Sequence, residues 1–111
     1  MAAQWIEDVL SFWFDELGPE EWFEGSPELD ETIRTRFGDL YESLTSGVPD
    51  EVLDEPRGAL AAVILFDQFP RNMYRGTARA FVTDDVAVGI ARKAVEKGFD
   101  NSLPPEQRQF L

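Results

Sequence analysis

The residues most able to do chemistry lie in one short stretch that directly follows a long apolar run. Residues 60–66 are all apolar, and carboxylate, amide, guanidinium and phenol groups follow at Asp67, Gln68, Arg71, Asn72, Tyr74, Arg75, Arg79 and Asp84. The arginines are spaced four residues apart, and residues 67–79 carry a net charge of +2 in a chain of net charge −12. Arginine grips carboxylate and phosphate groups through parallel N–H donors. The stretch therefore predicts a binding site for a peptide or a small anionic ligand.

A second interpretation of the same residues needs no ligand. Asp67 can pair with Arg71 or Arg75, and Asp84 with another arginine, while the amides of Gln68 and Asn72 bond backbone groups left free at two helix ends. Such a cluster would stabilise a bend between helices. Both interpretations stay open at the level of sequence.

Catalysis has the weakest support. Asp67 and Asp84 are of the right type for acid–base work or magnesium binding, but no second element of a catalytic motif accompanies them. The chain has no Cys and no His, which excludes zinc, haem, iron–sulfur and thiol chemistry for the chain alone. We assign no catalytic residue, no metal ligand and no cofactor, and the chain alone is not predicted to be an enzyme.

The charge distribution restricts the partners. Residues 1–55 hold 16 acidic and two basic residues, whereas residues 56–111 hold six acidic and eight basic ones. Such an acidic surface repels nucleic acid. The N-terminus lacks the features of a signal peptide, and no run approaches the ~20 apolar residues of a membrane span. We expect a cytoplasmic protein that contacts neither nucleic acid nor membrane.

The elements that must position the polar stretch are all predicted to be helical. Over residues 3–17 the apolar positions leave a narrow polar stripe at Glu7, Ser11 and Asp15, as in a largely buried helix that ends at residues 18–19. The triplet at residues 12–14, Phe-Trp-Phe, is interpreted as core packing and not as a stacking platform. The acidic segment that follows is interpreted as a connection.

A second helix is predicted to begin at Ser26, as the cap, with Pro27 in the first turn. It ends near Gly47, and its apolar face consists of Leu29, Ile33, Phe37, Leu40 and Leu44.

A third, enclosed helix is predicted to begin at Pro56 and to end at Pro70, because proline disfavours helical dihedrals at the residue before it. A fourth helix is predicted to begin with Thr83 as its cap and to end at Gly98. A fifth helix starts near residue 104 but has no room for two turns, so it either docks by Phe110 and Leu111 or belongs to a longer protein.

The polar stretch also resembles a known family signature. The residues concerned are Asp-Gln-Phe-Pro-Arg-Asn at 67–72, Tyr-Arg-Gly at 74–76, Ala-Phe at 80–81 and Thr-Asp at 83–84, with Phe-Trp-Phe at 12–14 and Arg-Phe at 36–37. They resemble a bacterial family catalogued as domain of unknown function 924, over essentially the whole chain. The resemblance implies an all-α fold similar to the tetratricopeptide-like superfamily, with antiparallel helical hairpins in an array of four full helices and a truncated fifth. It implies no established activity.

Two departures from the family pattern bear on the length of the domain. Phe66 stands where the family usually has leucine, and the family's further helices, with a His-Ser-Glu motif, have no counterpart in a chain without histidine. We therefore expect residues 1–111 to be a single all-helical domain that forms the N-terminal part of a longer family domain. As its function we predict a binding or scaffold module that recognises a peptide or a small anionic ligand through the polar stretch. Two alternatives stay open: an enzyme completed by an absent C-terminal segment that carries the histidine, and a structural domain that forms homo-oligomers.

Overall fold

The chain is all-α in the computed structural model, which describes residues 4–23 and 25–111 and contains no strand in that part. The all-helical prediction is confirmed. The helices are α1 (Gln4–Leu10), α2 (Pro19–Phe23), α3 (Pro27–Thr45), α4 (Pro56–Val63), α5 (Phe69–Met73), α6 (Asp84–Glu96) and α7 (Pro105–Arg108). Short 3₁₀ turns cover Asp50–Leu53, Ala78–Phe81 and Phe99–Ser102.

Two segments are π-helical, so that their N–H groups bond to carbonyls five residues back. One, Ser11–Glu16, extends α1, and the other, Ile64–Gln68, connects α4 to α5 without a break. The backbone N–H of Leu17 donates to the Phe12 carbonyl at 3.2 Å at the end of the first segment.

The apolar run of residues 59–66 forms the centre of the core, because α4 packs against α1 on one side and α6 on the other. The largest fully buried side chains are Trp13, Phe12, Phe66, Phe69, Ile6, Ile33, Leu60, Ile64, Leu65, Val9 and Val52. Phe12 and Trp13 are buried, which confirms core packing for these two residues of the Phe-Trp-Phe triplet, whereas Phe14 is half-buried and also lines a cleft. Among the described residues, no helix has both the length and the apolar character that crossing a bilayer demands.

Several predicted boundaries are confirmed. The backbone N–H of Leu29 donates to Oγ of Ser26 at 3.0 Å, which caps α3. Gly98 has a left-handed φ of +79° just after α6, as a helix-ending glycine should. Pro56 stands at the start of α4. The segment after Gly18, expected to be a connection, instead contains the short helix α2.

The prediction that Pro70 ends the third helix is wrong. Phe69 keeps helical dihedrals, with φ −63° and ψ −41°, and its N–H donates to the Ile64 carbonyl in the π-helical register. The helix continues through Pro70 to Met73. Proline has no N–H to offer the carbonyl four residues back, that of Phe66, and this carbonyl receives another donor.

That donor is Thr83, which occupies the N-cap position of α6 as predicted. Its side chain caps no α6 N–H, and Oγ1 instead donates to the Phe66 carbonyl at 2.6 Å. The Tyr41 hydroxyl lies 3.1 Å from Oγ1 of Thr83. Because the single Thr83 hydroxyl proton goes to Phe66, Tyr41 is the donor in this second bond.

The predicted apolar face of the second helix is partly corrected. The residues of α3 that are buried are Asp30, Ile33, Phe37 and Tyr41, whereas Leu29, Leu40 and Leu44 are only half-buried at the edge of the core. The helix is therefore rotated so that its buried stripe begins with a carboxylate.

The C-terminal segment docks on the aromatic cluster, which is one of the two outcomes predicted for it. The Phe110 ring lies 5.7 Å from Trp13, 5.8 Å from Phe14 and 5.2 Å from Trp22, measured between ring centroids. All three contacts are edge-on, the geometry that aromatic quadrupoles favour.

Candidate functional site

The predicted site residues lie on the continuous π–α segment of residues 64–73, in the turns that follow it and, with Asp84, at the start of α6. We call residues 64–75 the joint, because α3 packs on one side of it and α6 on the other. The arginines of the polar stretch each contact an acid within the described residues, and these acids differ from one arginine to the next.

Arg75 binds Asp30, a residue of α3 that the sequence analysis did not select. Its Nε donates to Oδ2 at 2.7 Å and its Nη2 to Oδ1 at 3.0 Å. Nδ2 of Asn72 donates to Oδ1 of the same carboxylate at 3.0 Å. Asp30 is only 8% exposed, so three donors hold a carboxylate in a largely dry place.

The protonation of Asp30 follows from these contacts. Burial raises the pKa of its carboxyl group, but the hydrogen bonds from Arg75 and Asn72 and the charges of Arg75 and Arg34 outweigh it, so the pKa lies below the ordinary value. The hydrogen bond to Asp30 raises the pKa of Arg75. Both groups are therefore charged near neutrality.

Two further residues support the Asp30 pair. Arg34, one turn along α3, donates to the Met73 carbonyl through Nη2 at 2.8 Å and Nε at 3.3 Å, and it also pairs with Glu31. A cation at the carbonyl end of α5 suits the helix dipole. Gly25 has φ +65°, and an added Cβ would lie 2.8 Å from Nη2 of Arg75, so the chain passes close to the guanidinium there.

Arg71 faces α6 instead of α3. Its Nη2 lies 3.0 Å from Oδ1 of Asp67 and 3.6 Å from Oδ2 of Asp84. Nε2 of Gln68 donates to the other Asp67 oxygen at 2.8 Å. Oδ1 of Asp84 is buried and has no hydrogen-bond partner among the described residues. The Phe81 ring lies beside the Arg71 guanidinium, 5.4 Å from its centroid.

Arg79 and Tyr74 both bind Glu42, near the far end of α3. The Tyr74 hydroxyl donates to Oε1 at 2.7 Å, and Nη2 of Arg79 donates to the same oxygen at 2.7 Å. The Arg79 guanidinium lies over the Tyr74 ring, 4.1 Å from its centroid. Burial, and then the hydrogen bond to Glu42, raises the pKa of Tyr74.

The structure thus brings the predicted residues into one region but divides the three arginines among four acid partners. Arg71 points to α6, while Arg75 and Arg79 contact α3 at Asp30 and Glu42, twelve residues apart. Such a separation along a helix is about 18 Å at 1.5 Å per residue. The three guanidinium groups therefore do not converge on one anion.

The sequence analysis missed Asp30, Arg34 and Glu42 because all three belong to α3. One signal was present: Asp30 stands three residues before Ile33 and seven before Phe37, on the stripe that proves to be buried. A lone carboxylate in such a position requires a buried partner.

The local charge also changes once the partners are included. Three arginines face the four carboxylates of Asp30, Glu42, Asp67 and Asp84. The positive charge seen along the sequence is therefore neutralised in space. Among the described residues, no cluster of three or more acids has the arrangement of a metal site.

These observations define an all-α protein in which polar side chains tie an irregular but continuous helix to its neighbours. The chain belongs to the bacterial protein family of unknown function DUF924, whose sequence pattern matches residues 9–111. It is similar to the solved structure of a protein of unknown function from Agrobacterium tumefaciens, at 33% identity and a TM-score of 0.88 over 95% of this chain. The chain spans 59% of that protein. No match to a curated protein was found.

Proposed function

We propose that the chain is a helical scaffold module in which the polar stretch is structural. The observation that supports this most is that Arg71, Arg75 and Arg79 each contact carboxylates of the chain itself. The prediction that the stretch binds a peptide or a small anionic ligand remains untested. We also propose that the helices form a tetratricopeptide-like arrangement and that the protein is cytoplasmic.

In this proposal the joint needs its ionic partners because its backbone is irregular. The π-helical segment and Pro70 remove regular helical hydrogen bonds between α4 and α5. Contacts to α3 through Asp30, Arg34 and Glu42 fix the direction in which the chain leaves the helix. The joint in turn positions α6, because Thr83, at the start of that helix, donates to the carbonyl of Phe66 in the joint.

The outer face of α6 is the contact surface that we assign to the scaffold. Val88 and Val95 are 53% and 49% exposed, one side of a groove of about 430 Å³ that Ala91 and Leu111 also line. Arg92 and Glu96 also line this groove, and neither makes an ion pair within the described residues. The occupant we propose is an amphipathic helix from a further part of the protein, because this chain spans only 59% of the Agrobacterium tumefaciens relative.

The proposal that residues 1–111 form the N-terminal part of a longer family domain has the same support, namely the 59% coverage of the Agrobacterium tumefaciens protein. An enzyme completed by further chain and a homo-oligomer are the competing proposals. Sedimentation of the chain separates the latter: a Val88→Asp and Val95→Asp double variant that converts a dimer to a monomer would identify a second copy as the occupant.

A titration tests the structural role directly. We expect neither inorganic phosphate nor an acidic peptide at millimolar concentration to shift the backbone amide NMR signals of residues 67–84. Saturable binding that Arg71→Ala abolishes would show that the stretch is an anion site. Arg36→Ala is the matched control, because it removes an arginine whose ion pair, with Glu16, lies outside both the joint and the groove of α6.

A further inference from the structure

A second polar region lies away from the joint, in a cleft between α1, α4 and α7. Its volume is about 250 Å³, slightly smaller than that of most ligand pockets, which suits a small molecule. Leu10 and Phe14 supply apolar surface, and the polar lining consists of Glu7, Ser11, Asp15, Arg57 and Gln107.

The polar stripe of the first helix forms one wall of this cleft. Glu7, Ser11 and Asp15 recur every four residues in the sequence, where such a pattern is typical of a solvated face. In the structure, Arg57 from the start of α4 and Gln107 from α7 close the other side. Glu7, Ser11 and Asp15 remain exposed, so the stripe forms one wall of a cleft that is open to solvent.

Glu7 is held in place by Arg57. Nη2 of Arg57 donates to both carboxylate oxygens, at 2.6 Å and 3.1 Å, and Nε donates to one of them at 3.3 Å. This pair fixes one side of the cleft and occupies the Nε and Nη2 donors of Arg57.

The other three polar side chains of the cleft retain open hydrogen-bonding capacity. Within residues 4–23 and 25–111, the side chains of Ser11, Asp15 and Gln107 take part in no hydrogen bond or ion pair. They offer a hydroxyl, a carboxylate and an amide at one small concave surface. The lining has two carboxylates against one guanidinium, in a chain of net charge −12, so the local charge favours a cation.

We infer that this cleft binds a small aliphatic ammonium compound that also carries hydroxyl groups. The ammonium group pairs with Asp15, the hydroxyl groups bond Ser11 and Gln107, and the carbon skeleton packs on Leu10 and Phe14. The cleft shares no residue with the joint, so the inference is independent of the proposed scaffold role.

Glucosamine is a suitable probe, with glucose as the neutral compound of nearly the same shape. We expect glucosamine at about pH 6.5, where its amine is mostly protonated, to bind and to shift the amide signals of Ser11, Asp15 and Gln107. We expect Asp15→Asn to weaken its binding about fivefold, the effect of one partly exposed ion pair. Ser11→Leu, which fills the cleft, should abolish the binding while leaving the helical circular dichroism unchanged.

Asp39→Asn is the matched control, because it removes an equal charge from the exposed side of α3. Its binding of glucosamine should equal that of the unmodified chain. The inference is overturned if glucose binds as tightly as glucosamine, if Asp39→Asn weakens binding as much as Asp15→Asn, or if no shift appears at Ser11 and Asp15.

Discussion

Each of the two π-helical segments contains a backbone carbonyl that accepts a hydrogen bond from a side chain of another element, an indole in one segment and a hydroxyl in the other. In the first, Ser11–Glu16, the carbonyl of Trp13 accepts a hydrogen bond from Nε1 of Trp22 at 2.8 Å. In the second, Ile64–Gln68, the carbonyl of Phe66 accepts one from the Thr83 hydroxyl at 2.6 Å. In both cases a side chain from another element supplies a donor to an irregular stretch of helix.

The surroundings of the two segments differ. Aromatic rings enclose the first: Trp13 and Trp22 stack at 6.1 Å, and the Phe110 ring contacts both. Carboxylates and guanidinium groups flank the second. The first segment also carries one exposed ion pair, Glu16–Arg36, but its contacts with the rest of the core are uncharged rings. Those ring contacts depend less on pH and salt than the ion pairs that hold the joint.

The largest effect is expected in the aromatic segment. Trp22→Ala removes the ring contacts with Trp13, Phe14 and Phe110 and the donor to the Trp13 carbonyl, and it should lower the free energy of unfolding by about 3 kcal/mol. Urea denaturation at low and high salt measures this loss. A loss that changes with salt would contradict the proposed contrast with the joint.

Asp30→Asn is expected to be the next largest change, and its effect should depend on pH. The lowered pKa of Asp30 means that its stabilising contribution is full above the ordinary carboxyl value, about 3.9, and is lost as the pH falls through the lowered value. We expect a loss of about 2 kcal/mol at pH 7, reduced from the buried-pair range because Arg75 is half exposed.

Denaturation curves from pH 7 down to about 2 check this prediction. The difference between the unmodified chain and Asp30→Asn should shrink below about pH 4. Asp39→Asn, an exposed site on the same helix, is the control and should show no such convergence. An Asp30→Asn loss that stays constant over this range would mean that the side chain acts through its shape and not its charge.

Thr83→Val should have a smaller effect, of about 1 to 2 kcal/mol. It keeps the shape of the side chain but leaves the Phe66 carbonyl and the Tyr41 hydroxyl without their partner in a buried place. Thr83→Ser retains the hydroxyl and is the control. If valine and serine variants unfold at the same urea concentration, the carbonyl is not satisfied by this bond.

Features determined within a few residues were predictable from the sequence, and features that depend on distant contacts were not. Ser26 caps α3 through Leu29 only three positions away, and Gly98 ends α6 through its own dihedral freedom. Pro70 was misread because its missing N–H is compensated by Thr83, whose hydroxyl reaches back seventeen residues to Phe66. Only packing between helices brings the two together.

The candidate site shows the same division. The sequence located the arginines and correctly allowed Asp67 to pair with Arg71, four residues away. It assigned no partner on α3, although Arg75 and Asn72 bind Asp30 across 45 and 42 positions and Arg79 binds Glu42 across 37. Local charge counting therefore gave a positive segment that the fold neutralises.

The central claim is that the joint is held by its own ion pairs, and a double-mutant cycle between Asp30 and Arg75 tests it most directly. Urea denaturation of Asp30→Ala, Arg75→Ala and the double variant gives the coupling free energy. We predict a favourable coupling of about 1 kcal/mol or more, larger than that of the exposed pair Glu16–Arg36 measured in the same way. A coupling near zero would show that Arg75 is free for another partner and would contradict the structural role.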